Sequence, residues 1–183
     1  MDMQASADND EIIAEVDEMD NVIGKIHRHG HTAGHVGGKL HREVAVVLLN
    51  AKDELLIQER ADYGEYDYSA TGHVPYNEDY AAAAVREVHE ELGLNISQSA
   101  LRFIGKRKVD TQEFNSHRFV ALFELKQDCK IAELRPNPAE VKSLKFISMA
   151  ELMHMIKILP KKFSPGFIEM FDVYRRNSSE GLD

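Results

Sequence analysis

Four glutamates and an arginine stand at fixed offsets in GHVPYNEDYAAAAVREVHEELGL: Glu78, Arg86, Glu87, Glu90 and Glu91. Carboxylates are hard oxygen ligands, the kind that Mg2+ takes while keeping several of its waters. A cation held this way neutralises phosphate charge and acidifies a water, so the grouping points to attack of water on phosphorus. Between the acidic residues, Ala81 to Val85 is strongly helix-forming, and Gly93 suits the position just past a helix end. At about 100° per residue, Ala81, Ala84, Val85, Val88 and Leu92 share one stripe. Glu87, Glu90 and Glu91 fall within an arc of roughly 100°, centred about 140° from that stripe. One face is expected to pack and the other to gather carboxylates, whose repulsion a divalent cation would reverse. Arg86 lies one turn before Glu90 and is placed to hold it as an i,i+4 pair. Gly72 and Gly93 are expected to permit turns at either end.

The segment resembles the Nudix box: Gly, five residues, Glu, seven residues, then Arg-Glu-aliphatic-any-Glu-Glu-any-Gly-aliphatic. Gly72, Glu78, Arg86, Glu87, Val88, Glu90, Glu91, Gly93 and Leu94 fill every fixed position. The resemblance implies an α/β protein of the Nudix fold, a mixed β-sheet sandwiched between α-helices. It also implies Mg2+, or Mn2+ in its place, held by Glu87, Glu90 and Glu91, with Glu90 and Glu91 the principal ligands. Catalysis would fall to Glu87, Arg86 and Glu90, while Gly72, Glu78 and Gly93 would be structural. Glu87 is a further ligand or the general base. Within this superfamily the base also comes from distant loops, so Glu113 and Glu140 compete with it. Substrate phosphates need a few local cations, for which Arg60, Arg118 and Lys39 are candidates, with Arg42 as an alternative to Lys39.

The resemblance runs further, from about Glu11 to Tyr174. AEVDEMDNVIG, KLHREVAVVLLN, ELLIQER and PKKFSPGFIEMF are similar to the isopentenyl-diphosphate isomerase-like branch of the Nudix proteins. His41 and His73 align with two histidine metal ligands of those isomerases. Their catalytic cysteine precedes a Gly-His pair, where this chain has Thr71, and Cys129 lies elsewhere. A threonine hydroxyl has no accessible ionisation and cannot replace a thiol as acid or base. His117 stands where a carboxylate ligand would be expected. The function that the residues favour is metal-dependent hydrolysis of a diphosphate linkage in a nucleoside diphosphate derivative or related small organic diphosphate. Isomerisation and a catalytically idle binding module are the alternatives.

The elements that must position these groups follow from pattern. A chain of 183 residues, 43% hydrophobic and 29% charged, suits one domain with an ample core. We place it at 11–175, between a mobile tail at 1–10 and a frayed one at 176–183. EIIAEVDEMDNVIGKIHR reads as a hairpin, and the His- and Gly-rich segment over 27–41 as a polar loop whose spacing matches no zinc motif. REVAVVLLN, LLIQER, ISQSALRFIGKRKVDT, HRFVALFEL and SLKFIS are predicted strands. Ser148 is expected to cap the helix MAELMHMIKIL, with Glu151 completing a capping box. Phe167, Ile168, Phe171 and Tyr174 predict a final docked helix. Tyr63, Tyr66 and Tyr68 are expected to line a groove or join the core. A net charge of −9 argues against nucleic-acid polymers and anionic membranes as partners. A small-molecule diphosphate remains the expected partner, and a homodimer is allowed. No apolar stretch spans a bilayer and the acidic start lacks a signal peptide's core, so a cytoplasmic location is expected.

Overall fold

The computed structural model describes residues 11–28, 36–112 and 115–178. The expectations for 1–10, for His29, His31 and His35, for Glu113 and for 179–183 fall outside them.

The strand β3 (Leu40–Leu49) organises the molecule. Its run from Val44 to Leu49 is buried throughout because both of its faces pack. Val44, Val46 and Leu48 point to one side, Ala45, Val47 and Leu49 to the other, as the period of two requires. On the first side lies helix α1 (Tyr80–Leu92), whose Ala83, Ala84, Val88 and Leu92 are buried against the sheet. On the second side lie α2 (Met149–Ile158) and α3 (Pro165–Ser178), contributing Leu152, Phe167, Met170, Phe171 and Tyr174. Full burial of each large apolar side chain is worth about 1.5–3 kcal/mol, which fastens both helical layers. The expected α/β/α sandwich is what forms.

The hairpin of β1 (Glu11–Val16) and β2 (Val22–Arg28) is present, and β1 meets β3 through Glu15 and His41. Strand β4 (Leu55–Arg60) pairs antiparallel with β3, with the short β5 (Tyr66–Asp67) and with β9 (Val141–Ile147). Strand β8 (Ser116–Lys126) runs parallel to β3 and antiparallel to β7 (Leu101–Thr111). Neither β5 nor the strand that follows it was expected from sequence. Ala70–His73 is a strand, β6, pairing antiparallel with β3 so that Glu43 faces His73 and Val44 faces Gly72. No helix among the described residues is long and apolar enough to cross a membrane.

Capping follows local chemistry. Asp79 Oδ1 accepts from Ala82 N at 2.8 Å to start α1, and Gly93, at φ 71°, closes it with its N–H on His89 O. Ser148 Oγ accepts from Glu151 N at 3.2 Å, as expected. The capping box is half made, however, because the Glu151 carboxylate goes to Lys145 Nζ at 2.9 Å.

Candidate active site

Helix α1 turns only Glu90 of its acidic face to water. Glu87 is 5% exposed and Glu91 4%, because β6 crosses that face at Thr71 and Gly72. Gly72 therefore serves close approach rather than a turn. Its backbone is ordinary strand, and a Cβ there would lie 1.9 Å from Glu87 Oε1. Gly93 keeps the turn role assigned to it.

Arg86 gathers the surrounding carboxylates. Its Nη1 donates to Glu87 Oε1 at 2.7 Å and to Glu90 Oε2 at 2.9 Å. Nε donates to Glu78 Oε2 at 3.1 Å, and Nη2 to the His73 carbonyl at 2.9 Å, tying α1 to β6. The expected i,i+4 pair is thus one arm of a larger clamp. Burial pushes the Glu87 carboxyl up to about 8 despite Arg86, with Glu90 and Glu140 adding to the rise. Burial and the charge of Glu87 raise Glu91 well above the carboxylate range, although Gln58 Nε2 at 2.7 Å and Thr71 N at 3.1 Å both donate to its Oε2. The Glu90 side chain is about half exposed. A divalent cation suits this set: the donors are hard oxygens, and two of them pay a desolvation penalty that added positive charge would relieve.

A second cluster lies on the same cleft. His41 and Glu43 alternate along β3, and the β3–β6 register brings His73 beside Glu43. His41 Nε2 is 3.5 Å and His73 Nε2 3.6 Å from Glu43 Oε1. Among the described residues, this is the one set of three such groups whose ligand atoms lie within 4.8 Å of one another. Sequence placed His41 at the edge of a loop with no carboxylate nearby; here it is buried on a strand beside one. Separations near 3.5 Å match the edges of a tetrahedral site with bonds of about 2.1 Å. Two arginines work against a metal there. Arg118 Nε lies 2.8 Å from Glu43 Oε2. Burial raises the Glu43 carboxyl, but the charge of Arg118, a hydrogen bond from His41 and the charges of His73 and His41 together hold it well below the usual carboxylate range. Arg28 Nη1 lies 3.3 Å from His73 Nδ1. Because Arg only donates, that contact makes Nδ1 the acceptor and leaves the proton on Nε2, the atom facing Glu43. Burial, with help from Arg28 and His41, lowers His73 to about 4 against the pull of Glu43.

These groups line a cleft of about 630 Å3 that also takes in Arg60, Tyr63, Asp67, Thr71, Arg118 and Glu140. Arg60 donates through Nε and Nη2 to Asp62 at 3.0 and 2.9 Å, so its charge is already engaged. Arg118 donates to Thr111 Oγ1 and Ser116 Oγ at 3.1 and 2.9 Å. Lys39 is not brought into the cleft: its Nζ lies 2.7 Å from Glu15 Oε2. Arg42 is likewise turned away, onto Asp20 at 2.7 Å. His117 pairs with exposed Asp110 at 2.7 Å. Tyr68 belongs to the core with its hydroxyl on Phe167 O, Tyr66 packs against Phe163, and Tyr63 is half exposed at the cleft. Sequence reasoning did not single out Gln58 or Glu43. The signal for each was a polar residue in or beside an apolar strand.

Comparisons with known proteins bear on the family and the fold. An isopentenyl-diphosphate Delta-isomerase of Streptomyces coelicolor is 35% identical over 152 residues, covering 75% of this chain and 71% of that protein. A Pseudomonas aeruginosa protein named an uncharacterized Nudix hydrolase is 31% identical over 174 residues, covering 92% and 96%. A crystal structure from Deinococcus radiodurans superposes with a TM-score of 0.64 at 24% identity, over 80% of this chain and 89% of that one. The NUDIX domain model matches residues 39–170, from the start of the central strand into the last helix. The chain belongs to the Nudix family.

Proposed function

We propose that this chain is a Mg2+- or Mn2+-dependent hydrolase that cleaves the diphosphate linkage of a nucleoside diphosphate derivative or related small organic diphosphate. One observation carries the reading: Glu87 and Glu91 are buried side by side at a cleft, at a cost in charge that Arg86 alone does not remove. When bound, the cation supplies neutralisation of the diphosphate and a water of lowered pKa. Glu90 and Glu91 are assigned as its principal ligands. Glu87, held beside Glu90 by Arg86 at the cleft, is assigned as the general base. Glu140 lines the same cleft and is the alternative base. Arg86 positions Glu87 and Glu90, while Arg60 and Arg118, which line the cleft, are assigned to the substrate's phosphates.

The names of several relatives favour a second reading, isomerisation of isopentenyl diphosphate. Against it stands Thr71, which offers Glu91 its backbone N–H and the cleft a hydroxyl rather than a thiol. Product analysis by mass spectrometry separates the readings. The protein would be incubated with Mg2+, a panel of nucleoside diphosphate derivatives, and isopentenyl diphosphate. Metal-dependent cleavage of a panel member, without dimethylallyl diphosphate, is the expected result. Dimethylallyl diphosphate with no cleavage would establish the isomerase, and no turnover at all would leave a binding module.

A further inference from the structure

Gln58 sits in the middle of β4 and is 1% exposed, in a strand whose Leu55, Leu56 and Ile57 are core residues. Its backbone neighbours are Asp67 on β5 and Leu144 on β9. An amide buried without a partner costs about 1–3 kcal/mol, so its side chain needs a bond there. Its Nε2 donates to Glu91 Oε2 at 2.7 Å, and Thr71 N, from β6, donates to the same oxygen at 3.1 Å. Glu91 Oε1 accepts no hydrogen bond from the described residues, and the residue lines the cleft.

The three α1 carboxylates are held in two different ways. Glu87 and Glu90 are gripped by a cation, Arg86, which competes with any other cation for their oxygens. Glu91 is gripped through one oxygen by two uncharged donors from two strands. Neutral donors orient a carboxylate without cancelling its charge. An arginine or lysine at position 58 would hold Glu91 as firmly and quench it.

We propose that Gln58 is a positioning residue for Glu91: with the Thr71 N–H it pins Oε2 to the sheet and leaves Oε1 as the oxygen that meets the divalent cation. This rests on Glu91 being a metal ligand, as assigned above. Outer-shell partners of ligating groups change metal affinity by about 10–100-fold when removed.

The test is a titration with Mn2+ alone, followed by electron paramagnetic resonance of the free ion, on the full chain and on Gln58→Met, Gln58→Asn, Glu91→Gln and the Gln58→Met/Glu91→Gln pair. Melting temperatures without metal are recorded beside it. Gln58→Met keeps the length and removes the donor; Gln58→Asn keeps the amide but withdraws it by one methylene, and serves if the first variant folds poorly. Expected are about 10–100-fold weaker Mn2+ binding in both Gln58 variants and a double variant no weaker than Glu91→Gln alone. A merely structural role would shift the melting temperature and leave the affinity alone. Unchanged Mn2+ affinity in the Gln58 variants, with Glu91→Gln impaired, overturns the role of Gln58 and leaves the hydrolase reading standing. A wild-type chain that binds no Mn2+ at this site, with Glu91→Gln indifferent, overturns both.

Discussion

Gly72 and Glu87 fit together with no room for a methyl group: a Cβ on Gly72 would lie 1.9 Å from Glu87 Oε1 and 2.1 Å from its Cδ. That oxygen is also the one 2.7 Å from Arg86 Nη1, so whatever displaces it disturbs the clamp. Gly72→Ala is expected to lower the melting temperature and to cut diphosphate hydrolysis at least about tenfold. Truncating the obstacle, in Gly72→Ala/Glu87→Ala, should recover stability relative to Gly72→Ala but not activity. Calorimetry and turnover on the two variants check this, and full activity in Gly72→Ala would contradict it.

The same pair shows how far the sequence could be followed. The helical wheel gave Glu87, Glu90 and Glu91 their common arc, and Asp79, Gly93 and Ser148 act as local caps do. A wheel gives direction around a helix, not what lies opposite. β6 is only four residues long and contains a glycine, so ATGH carried no strand pattern, and the burial of Glu87 and Glu91 went unseen with it. The resemblance paired His41 with His73, but Glu43 between them was hidden for the same reason, since the cluster forms through the long-range register of β3 with β6. The i,i+2 spacing of His41 and Glu43 was readable only once the strand was known to begin at Leu40. Lys39 was nominated as a positive charge near the cleft. Its partner Glu15 comes from β1, another pairing that local sequence does not encode.

Glu90 tests ligation apart from packing. Its side chain is about half exposed and its described contact is with Arg86. Glu90→Gln should therefore reduce kcat by about two orders of magnitude or more, with little change in melting temperature. An unchanged rate with Mg2+ would refute the assignment.

His73 should be visible in the acid stability of the protein. Its value falls from 6.5 to about 4 on folding, through burial with Arg28 and His41 beside it and against Glu43 and Glu11. A depressed value means that the unfolded chain takes the proton first. The contribution is complete above 6.5 and is lost as pH falls from 6.5 to 4, amounting to roughly 3 kcal/mol. Urea midpoints for the wild type should drop across that window, and those for His73→Gln should drop less. Parallel curves would contradict the assignment.

Lys39 serves as the converse case. Its ammonium is held by Glu15, in a half-exposed pair of the kind worth about 0–1 kcal/mol. Lys39→Met should leave kcat and KM within about twofold of wild type. A large rise in KM would return Lys39 to the substrate's phosphates.

The most direct measurement is the anomalous density of Mn2+ in crystals soaked with that ion alone. Two candidate places compete on one cleft: the α1 carboxylates, and the His41–Glu43–His73 cluster with Arg28 and Arg118 against it. Density at Glu90 and Glu91 is the expected result. Density confined to His41, Glu43 and His73, with the α1 carboxylates bare, would contradict it.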